Sequence, residues 1–170
     1  MIGHADGVLR EQRVSRPRKP KAAPEPALER DDFDEGKTLT RKQVLDMIRR
    51  GEPLEDADLR GIDLSGVSFD GVNLTNAKFG ECNLQKATFR GSNLTGASFW
   101  NANLREATLD GANLEEADFD YSNLDGVSFR DAKVRKAIFP YKRLPLEMIQ
   151  RSVRTGMRVR MEPMRHEDEE

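Results

Sequence analysis

The feature that most constrains the fold is a five-residue repeat that runs without a break from Ala57 to Tyr141, 17 units in all. The third position of the unit holds nine Leu, seven Phe and one Val, and the first position holds ten Ala. A period of five matches neither the 3.6 residues of a helical turn nor the two of a strand, so each unit must be a short extended piece followed by a turn. One unit cannot bury its own apolar side chain, so the units must coil and stack.

A second period sets the number of sides in each coil. Phe occupies the third position of every second unit from Phe69 to Phe139, except at Leu109, and Leu or Val134 fills the units between. Four sides per coil would stack like residues over like, which predicts coils of 20 residues and about four coils for the 85 residues of the repeat. At about 4.8 Å between stacked strands, this column would be about 20 Å tall. The fifth position is rich in Gly, which tolerates the positive φ that a tight corner needs.

Outward positions that lie 20 residues apart predict ladders of side chains between coils. The second position of the unit supplies three polar ladders, which favour hydrogen bonds from coil to coil: Asp63, Asn83, Asn103 and Asn123; Asn73, Asn93 and Asn113; and Ser68, Thr88, Thr108 and Ser128. The fourth position supplies one ladder of alternating charge, in which each member would face an opposite charge: Asp70, Arg90, Asp110 and Arg130.

The repeat unit itself resembles a known family. Sequences such as ANLRE at residues 102–106 and ANLEE at 112–116 are similar to the units of the pentapeptide repeat family, and the resemblance covers residues 57–141, half of the chain. It implies an all-β solenoid, a right-handed quadrilateral β-helix in which the first and third residues of each unit point inward. The pattern weakens in the last two units, where we expect the final coil to close.

Short helical caps are predicted at both ends, because the end coils of a solenoid expose unpaired strand edges. Before the repeat, Thr40 and Gln43 form a capping-box pattern that predicts a helix from about residue 41 to 50, closed by Gly51. After the repeat, Pro145 suits a first helical position and Gly156 a helix end.

Residues 157–161 alternate Met or Val with Arg, a strand-like pattern that adds to an edge either of this chain or of a second copy. A homodimer through this end is therefore a hypothesis. The chain divides into five segments: a disordered basic and Pro-rich tail at 1–36, an N-terminal capping helix within 37–56, the repeat at 57–141, a C-terminal cap of helix and extended segment at 142–161, and an acidic disordered tail at 162–170.

Composition narrows the function classes. The chain of 170 residues has only one Cys and two His, at opposite ends of the sequence, which predicts no disulfide, no metal site and no cofactor. The outward columns contain no His and no Gly-rich phosphate loop, so neither an enzyme nor a small-molecule substrate is expected. No apolar run approaches a membrane span or a secretory signal, and we expect a soluble protein of the bacterial cytoplasm. We interpret the buried Cys82 as a filler in the small-residue column.

Aromatic placement gives the strongest indication of a binding surface. Trp100, Tyr121 and Tyr141 follow the third position of their units, so they are predicted to point outward and to form a strip with Asp120 and Pro140. Exposed Trp and Tyr clustered in this way are typical of interaction hot spots. The alternative is that Tyr141 and Trp100 pack under the C-terminal cap or the tail.

Two functions remain open on the sequence. The first is a protein-binding scaffold or adaptor that uses the aromatic strip and the basic termini. The second follows from the resemblance, because some members of the family mimic duplex DNA and protect topoisomerases such as gyrase from quinolones or toxins. Mimicry needs acidic columns, and acids do concentrate late in the repeat, with no Lys or Arg between 106 and 129. The candidate acidic patch is Glu106, Asp110, Glu115, Glu116, Asp118 and Asp125. Against mimicry, residues 57–141 carry a net charge of only −3.

The N-terminal tail carries its own candidate site, a basic run of Arg13, Arg16, Arg18, Lys19 and Lys21. Such a run binds nucleic acid, an anionic membrane or an acidic protein, or it serves as a solvated linker with no partner.

Overall fold

The computed structural model describes residues 38–162, so the predicted tails lie outside the described residues, apart from Glu162. Two helices flank the repeat: α1 spans Arg41–Arg50 and α2 spans Leu146–Thr155. Between them the described chain forms isolated parallel bridges instead of continuous strands, 13 in number, from Asp58↔Lys78 to Asp118↔Ile138. Every bridge joins residues 20 apart in the sequence, which is the coil length that the Phe spacing predicts.

The corner of each unit lies at its fifth residue. Every fifth residue from Asp56 to Lys136 has a positive φ, between 54° and 76°. Gly supplies seven of the corners within the repeat, where this conformation costs it little. The others are side-chain-bearing residues such as Asn76, Lys86 and Tyr121, for which the left-handed region costs about 1–2 kcal/mol. The geometry of the coil therefore dictates the conformation of this position whichever residue occupies it.

Backbone hydrogen bonds join neighbouring coils in both directions. The third residue of a unit donates its N–H forward, as Leu64 does to the Asn83 carbonyl at 2.8 Å. The second residue donates backward, as Asn83 does to the Ile62 carbonyl at 3.1 Å. The column is held together by these repeated pairs, because each unit contributes only one bridging residue.

The core contains two stacks of Phe rings that face each other. Phe99 stacks on Phe79 at 4.9 Å and on Phe119 at 4.8 Å between ring centroids, and it meets Phe89 of the opposite stack edge to face at 5.9 Å. Leu109 interrupts the second stack and is fully buried. Edge-to-face and stacked rings each add about 0.5–1.5 kcal/mol to the energy of burial, so this arrangement offsets the small share of apolar residues in the chain.

The polar ladders differ in how they bond. In the first ladder, the Asn103 amide donates to Asn83 at 3.3 Å, and the Asn83 amide donates to Asp63 at 3.2 Å, as predicted. In the second, the amide oxygen of Asn93 instead accepts the backbone N–H and the hydroxyl of Thr95 within its own turn, and its Nδ2 donates to Thr75 of the previous coil. A Thr two residues on competes successfully for the amide oxygen.

The structure extends the repeat by one unit on its N-terminal side. Leu54 is fully buried, and its N–H donates to the Asn73 carbonyl at 2.9 Å, as a third-position residue does. The unit has Glu52 where Ala is usual and Pro53 in the second position, so the sequence pattern does not reveal it. Pro53 is tolerated because a second-position N–H bonds to the preceding coil, and the first coil has none.

Helix α1 covers the start of the column. The Thr40 hydroxyl accepts the Gln43 N–H, the Gln43 side chain accepts the Thr40 N–H at 2.7 Å, and Gly51 ends the helix in the left-handed conformation. Val44 is buried against the core, and the Arg41 guanidinium donates to the Asp63 carbonyl of the first coil at 2.6 Å. The cap thus satisfies carbonyls that no earlier coil can reach.

Helix α2 and the segment after it cover the other end. Pro145 is the N-cap and not the first helical residue, with ψ of 142°. The Ser152 hydroxyl accepts the Phe129 N–H at 3.1 Å, and Gly156 ends the helix where the Arg130 guanidinium packs against it. The segment 157–161 pairs with the last coil of its own chain, because Val159 exchanges hydrogen bonds of 2.8 Å with Gly126 and Val127. The strand on which the homodimer hypothesis rests is therefore used within the chain.

We expect Phe99→Ala to lower the free energy of unfolding by about 3–5 kcal/mol, because it empties a slot between two stacked rings. Phe99→Leu, which copies the natural Leu109, should cost less than about 1.5 kcal/mol. Urea unfolding followed by circular dichroism measures both values. Equal losses for the two variants would contradict a stability that depends on filling the slot.

Candidate functional site

The described residues present surfaces instead of a cleft. Their best-formed concavity is a shallow, open depression of about 340 Å³, lined by Arg105, Asn123, Asp125, Arg143 and Met161. Within residues 38–162, no three His, Cys, Asp or Glu side chains lie together as metal ligands would, and neither helix is long and apolar enough to cross a membrane. A binding site in this part of the chain must therefore be sought on the faces of the column.

Large apolar side chains are exposed together on one face, the side whose inward residues are Leu59, Phe79, Phe99, Phe119 and Phe139. The exposed fractions are 44% for Trp100, 70% for Tyr121, 50% for Ile138 and 54% for Tyr141. We call these four residues the Trp100 patch. The Trp100 and Tyr121 rings meet edge to face at 6.1 Å, so the two side chains form one contact surface across adjacent coils.

Ile138 is the member of the patch that sequence reasoning missed. It occupies the second position of its unit, a column whose lower members are Asp58, Lys78, Ser98 and Asp118. A β-branched apolar residue in an otherwise polar outward column is the signal that could have identified it. It bridges to Asp118 through the backbone and extends the patch toward the C-terminal end of the column.

Asp120 has a structural role within the predicted strip. In lower coils the fifth-position N–H bonds to the carbonyl one coil above, as Glu81 does to Trp100 at 2.9 Å. The corresponding carbonyl, that of Pro140, instead accepts the N–H groups of Arg143 and Leu144 in the turn toward α2. The Asp120 carboxylate supplies the missing acceptor, at 3.1 Å from the Tyr121 nitrogen. Asp120 and Pro140 thus shape the corner that displays Tyr121.

Tyr141 lies at the upper margin of the patch. Its ring contacts the core ring of Phe139 edge to face at 6.5 Å and is about half exposed. Within residues 38–162, Trp100 and Tyr141 stay accessible beside α2, so the alternative prediction that they pack under the C-terminal cap does not hold there. The tails, the other predicted cover for these rings, lie outside the described residues.

Four of the six carboxylates of the predicted acidic patch lie close to cations, and all of these cations except Arg105 are at least 20 residues away in the sequence. Lys136 lies 3.0 Å from Glu116, Arg135 lies 3.3 Å from Glu115, and Arg160 lies 3.6 Å from Asp125. Glu106 is within 3.7 Å of both Lys86 and Arg105. The hydrogen bond from Lys136 holds the pKa of Glu116 below its usual value. The absence of Lys and Arg between residues 106 and 129 therefore does not leave these acids without nearby cations, because residues 20 apart in sequence are neighbours in space.

The remaining acids of that patch accept backbone N–H groups. Asp118 accepts from Asp120 at 2.9 Å, and Asp110 accepts from Arg130 at 3.0 Å. Asp70 binds the Arg90 N–H at 2.8 Å in the same way. The alternating ladder therefore does not form the predicted charge pairs within the described residues, because each carboxylate bonds to the main chain of the next coil.

Comparison with known proteins bears on this arrangement. A family model of the pentapeptide repeat region matches residues 62–139. The crystal structure of a pentapeptide repeat protein from Nostoc PCC 7120 is 30% identical, with 60% of this chain and 86% of that chain aligned and a TM-score of 0.57. The chain belongs to the pentapeptide repeat family. Membership implies the right-handed quadrilateral β-helix, in agreement with the parallel bridges 20 residues apart.

Other pentapeptide repeat structures are more distant in shape. A protein from the thylakoid lumen of Arabidopsis thaliana is 32% identical over 63% of each chain, with a TM-score of 0.46. The fluoroquinolone resistance protein QnrB1 is 19% identical, covers 52% of this chain and 68% of its own, and has a TM-score of 0.20. The present chain thus spans less than two thirds of the Arabidopsis protein. The comparison with curated proteins finds no match.

The predicted basic site of the N-terminal tail, Arg13 to Lys21, lies outside the described residues. Cys82 lies within them, is buried in the small-residue column, and donates its thiol hydrogen to the Leu59 carbonyl. Burial raises the pKa of the Cys82 thiol to about 11, so it is neither charged nor accessible at neutral pH.

The stability of the repeat should therefore depend on Cys82 at high pH. Below about pH 8.5 the thiol is neutral in both states, and above it the unfolded chain ionises while the folded chain does not. We expect the free energy of unfolding to fall by about 2 kcal/mol more between pH 8 and 10.5 in the wild type than in Cys82→Ala. Urea unfolding at the two pH values measures this difference, and identical pH profiles would contradict it.

Proposed function

We propose that this pentapeptide repeat protein is a non-enzymatic scaffold that binds another protein through the Trp100 patch. The observation that carries the proposal is the exposure of Trp100, Tyr121, Ile138 and Tyr141 on one face. Trp and Tyr are enriched at the energetic centres of protein interfaces, because they offer large apolar areas with few side-chain rotations to restrict.

The identity of the residue at position 121 supports the proposal. A fifth-position corner suits Gly or Asn, and Tyr in the left-handed conformation is unfavourable for folding. The Tyr121 ring is the most exposed of the patch, so its burial in the core cannot offset that cost. A bulky aromatic residue at this corner is better explained by contact with a partner than by stability.

The DNA-mimic alternative finds less support in the charges. Mimicry of a duplex needs rows of uncompensated carboxylates. Here Glu115 and Glu116 pair with Arg135 and Lys136, and Asp110 and Asp118 accept backbone N–H groups. A column about 20 Å tall would also match only about six base pairs at 3.4 Å each.

The binding surface can be tested with substitutions that copy other units of the same chain. Trp100→Thr places the residue of Thr95 in a fourth position, and Tyr121→Asn places the residue of Asn76 or Asn101 in a fifth position. The double variant should fold at least as stably as the wild type, because Asn tolerates the corner better than Tyr. We expect it to lose at least 100-fold in affinity for the partner, on the order of two hot-spot side chains.

The partner would be captured from the source cells, purified, and titrated against each variant by calorimetry. The matched control is Leu146→Ala with Met157→Ala, which removes two exposed apolar side chains outside the patch. The proposal fails if the two double variants weaken binding equally or if the patch variant binds like the wild type.

A separate measurement addresses the alternative. We expect the purified protein, at about 10 μM, to leave the supercoiling activity of gyrase unchanged and to give no protection from a quinolone, because the late acids are paired. Inhibition at submicromolar concentration would favour the DNA-mimic function instead.

A further inference from the structure

The net charge of this chain is separated along the column. Residues 57–129 contain 11 acidic and five basic residues, whereas residues 130–162 contain ten basic and three acidic ones. The repeat is thus acidic by −6, and the end that follows it is basic by +7. Residues 163–170 add four acids and one Arg, which leaves the C-terminal part of the chain at +4. The overall net charge of −2 conceals this separation.

Several cations within residues 130–162, which we call the basic end, have no carboxylate partner among the described residues. Arg135, Lys136 and Arg160 pair with carboxylates, and Arg158 donates to the carbonyls of Glu106, Ala107 and Gly126. Arg130 packs against Gly156. The other exposed cations of residues 130–162 have no carboxylate within 4.0 Å among residues 38–162: Lys133, Lys142, Arg151 and Arg154.

These four residues surround the C-terminal end of the column. Lys133 lies in the last unit of its face, Lys142 in the turn that follows Phe139, and Arg151 and Arg154 on α2, which covers the last coil. Arg151 and Arg154 are three residues apart, so they project from the same side of the helix. That side faces away from the core, because Ile149 and Ser152 are the buried residues of α2.

We propose that this basic end binds the phosphate backbone of a nucleic acid. Phosphate contacts need only positive charge and hydrogen-bond donors, and they require no apolar centre. Arg supplies two of these four cations and seven of the ten in residues 130–162, and its planar fork matches phosphate oxygens.

The surface chemistry fits a nucleic acid better than the other anionic partners. An amphipathic helix that binds a membrane buries one apolar face, but the exposed Leu146 and Met148 of α2 lie about 200° apart around the helix. A protein interface has an apolar, aromatic centre, and the exposed aromatic residues lie on the Trp100 patch instead of on α2. The basic end therefore differs in chemistry from the Trp100 patch, which it adjoins where Lys142 follows Tyr141.

The test measures the affinity of the full chain for a fluorescent 20-base-pair DNA duplex by anisotropy, from 50 to 200 mM NaCl. In the end variant, Lys133, Lys142, Arg151 and Arg154 are all changed to Gln. We expect it to bind at least tenfold more weakly at 50 mM NaCl. Its slope of log affinity against log salt should be smaller by about 3.6, since each of the four phosphate contacts contributes about 0.9.

The control variant carries the same change in net charge elsewhere, through Lys42→Gln, Lys78→Gln, Lys86→Gln and Arg90→Gln. It should bind within threefold of the wild type. Equal losses in the two variants would overturn the proposal, because they would reduce it to an effect of net charge.

Two further measurements distinguish the basic end from the N-terminal tail as the binding site, and a nucleic acid from a membrane as the ligand. A tail variant with Arg13→Gln, Arg16→Gln, Arg18→Gln, Lys19→Gln and Lys21→Gln should still bind the duplex. Adding the four substitutions of the end variant should weaken that binding. Complete loss of binding in the tail variant would assign the site to the N-terminal tail and overturn the proposal. Tighter binding of the wild type to phosphatidylserine vesicles than to the duplex, lost in the end variant, would overturn it in favour of a membrane.

Discussion

The structure depends on the left-handed backbone conformation that recurs at every fifth residue. Each such corner redirects the chain, so that four units return it to the same side after 20 residues, where the next parallel bridge forms. The corner requires a conformation that most side chains disfavour, and the inter-coil hydrogen bonds must offset that cost. The ladders, the Phe stacks and the outward faces all follow from this single local constraint, because each needs residues 20 apart to be neighbours.

Much of this architecture could be predicted because it follows from the regular spacing of residues in the sequence. The recurrence of Phe every ten residues predicts four sides, and the capping residues Thr40, Gln43 and Gly51 indicate where α1 begins and ends. Periodicity fails where a unit departs from the pattern for a local reason. Pro53 breaks the pattern in a coil that has no predecessor to bond, and Ile138 departs from a polar column near the end of the repeat. Both departures lie at an end of the repeat, where the pattern shared by its 17 units no longer applies.

Charge pairing could be predicted least, because sequence order does not decide which atom of a neighbour a carboxylate meets. Asp110 and Arg130 are stacked as the ladder predicts, yet the carboxylate binds the Arg130 N–H. A short Asp side chain reaches the main chain of the next coil, whereas the longer Glu115 and Glu116 extend to the side chains of Arg135 and Lys136. The carboxylates thus divide into those that accept backbone N–H groups and those that form ion pairs, and the pair of Asp125 with Arg160 shows that side-chain length alone does not decide which.

This division explains why an acidic repeat need not present an acidic surface. A carboxylate that accepts a backbone N–H loses part of its capacity to attract a cationic partner, and one paired across coils loses more. The cations that pair with Glu115, Glu116 and Asp125 all come from residue 135 onward. Residues of the basic end therefore reduce the negative charge on the faces of the column. Among the described residues, the C-terminal end carries a local excess of exposed cations, while the exposed aromatic residues lie on one face. One column thus carries two chemically different surfaces, an aromatic face and a basic end, which adjoin where Lys142 follows Tyr141.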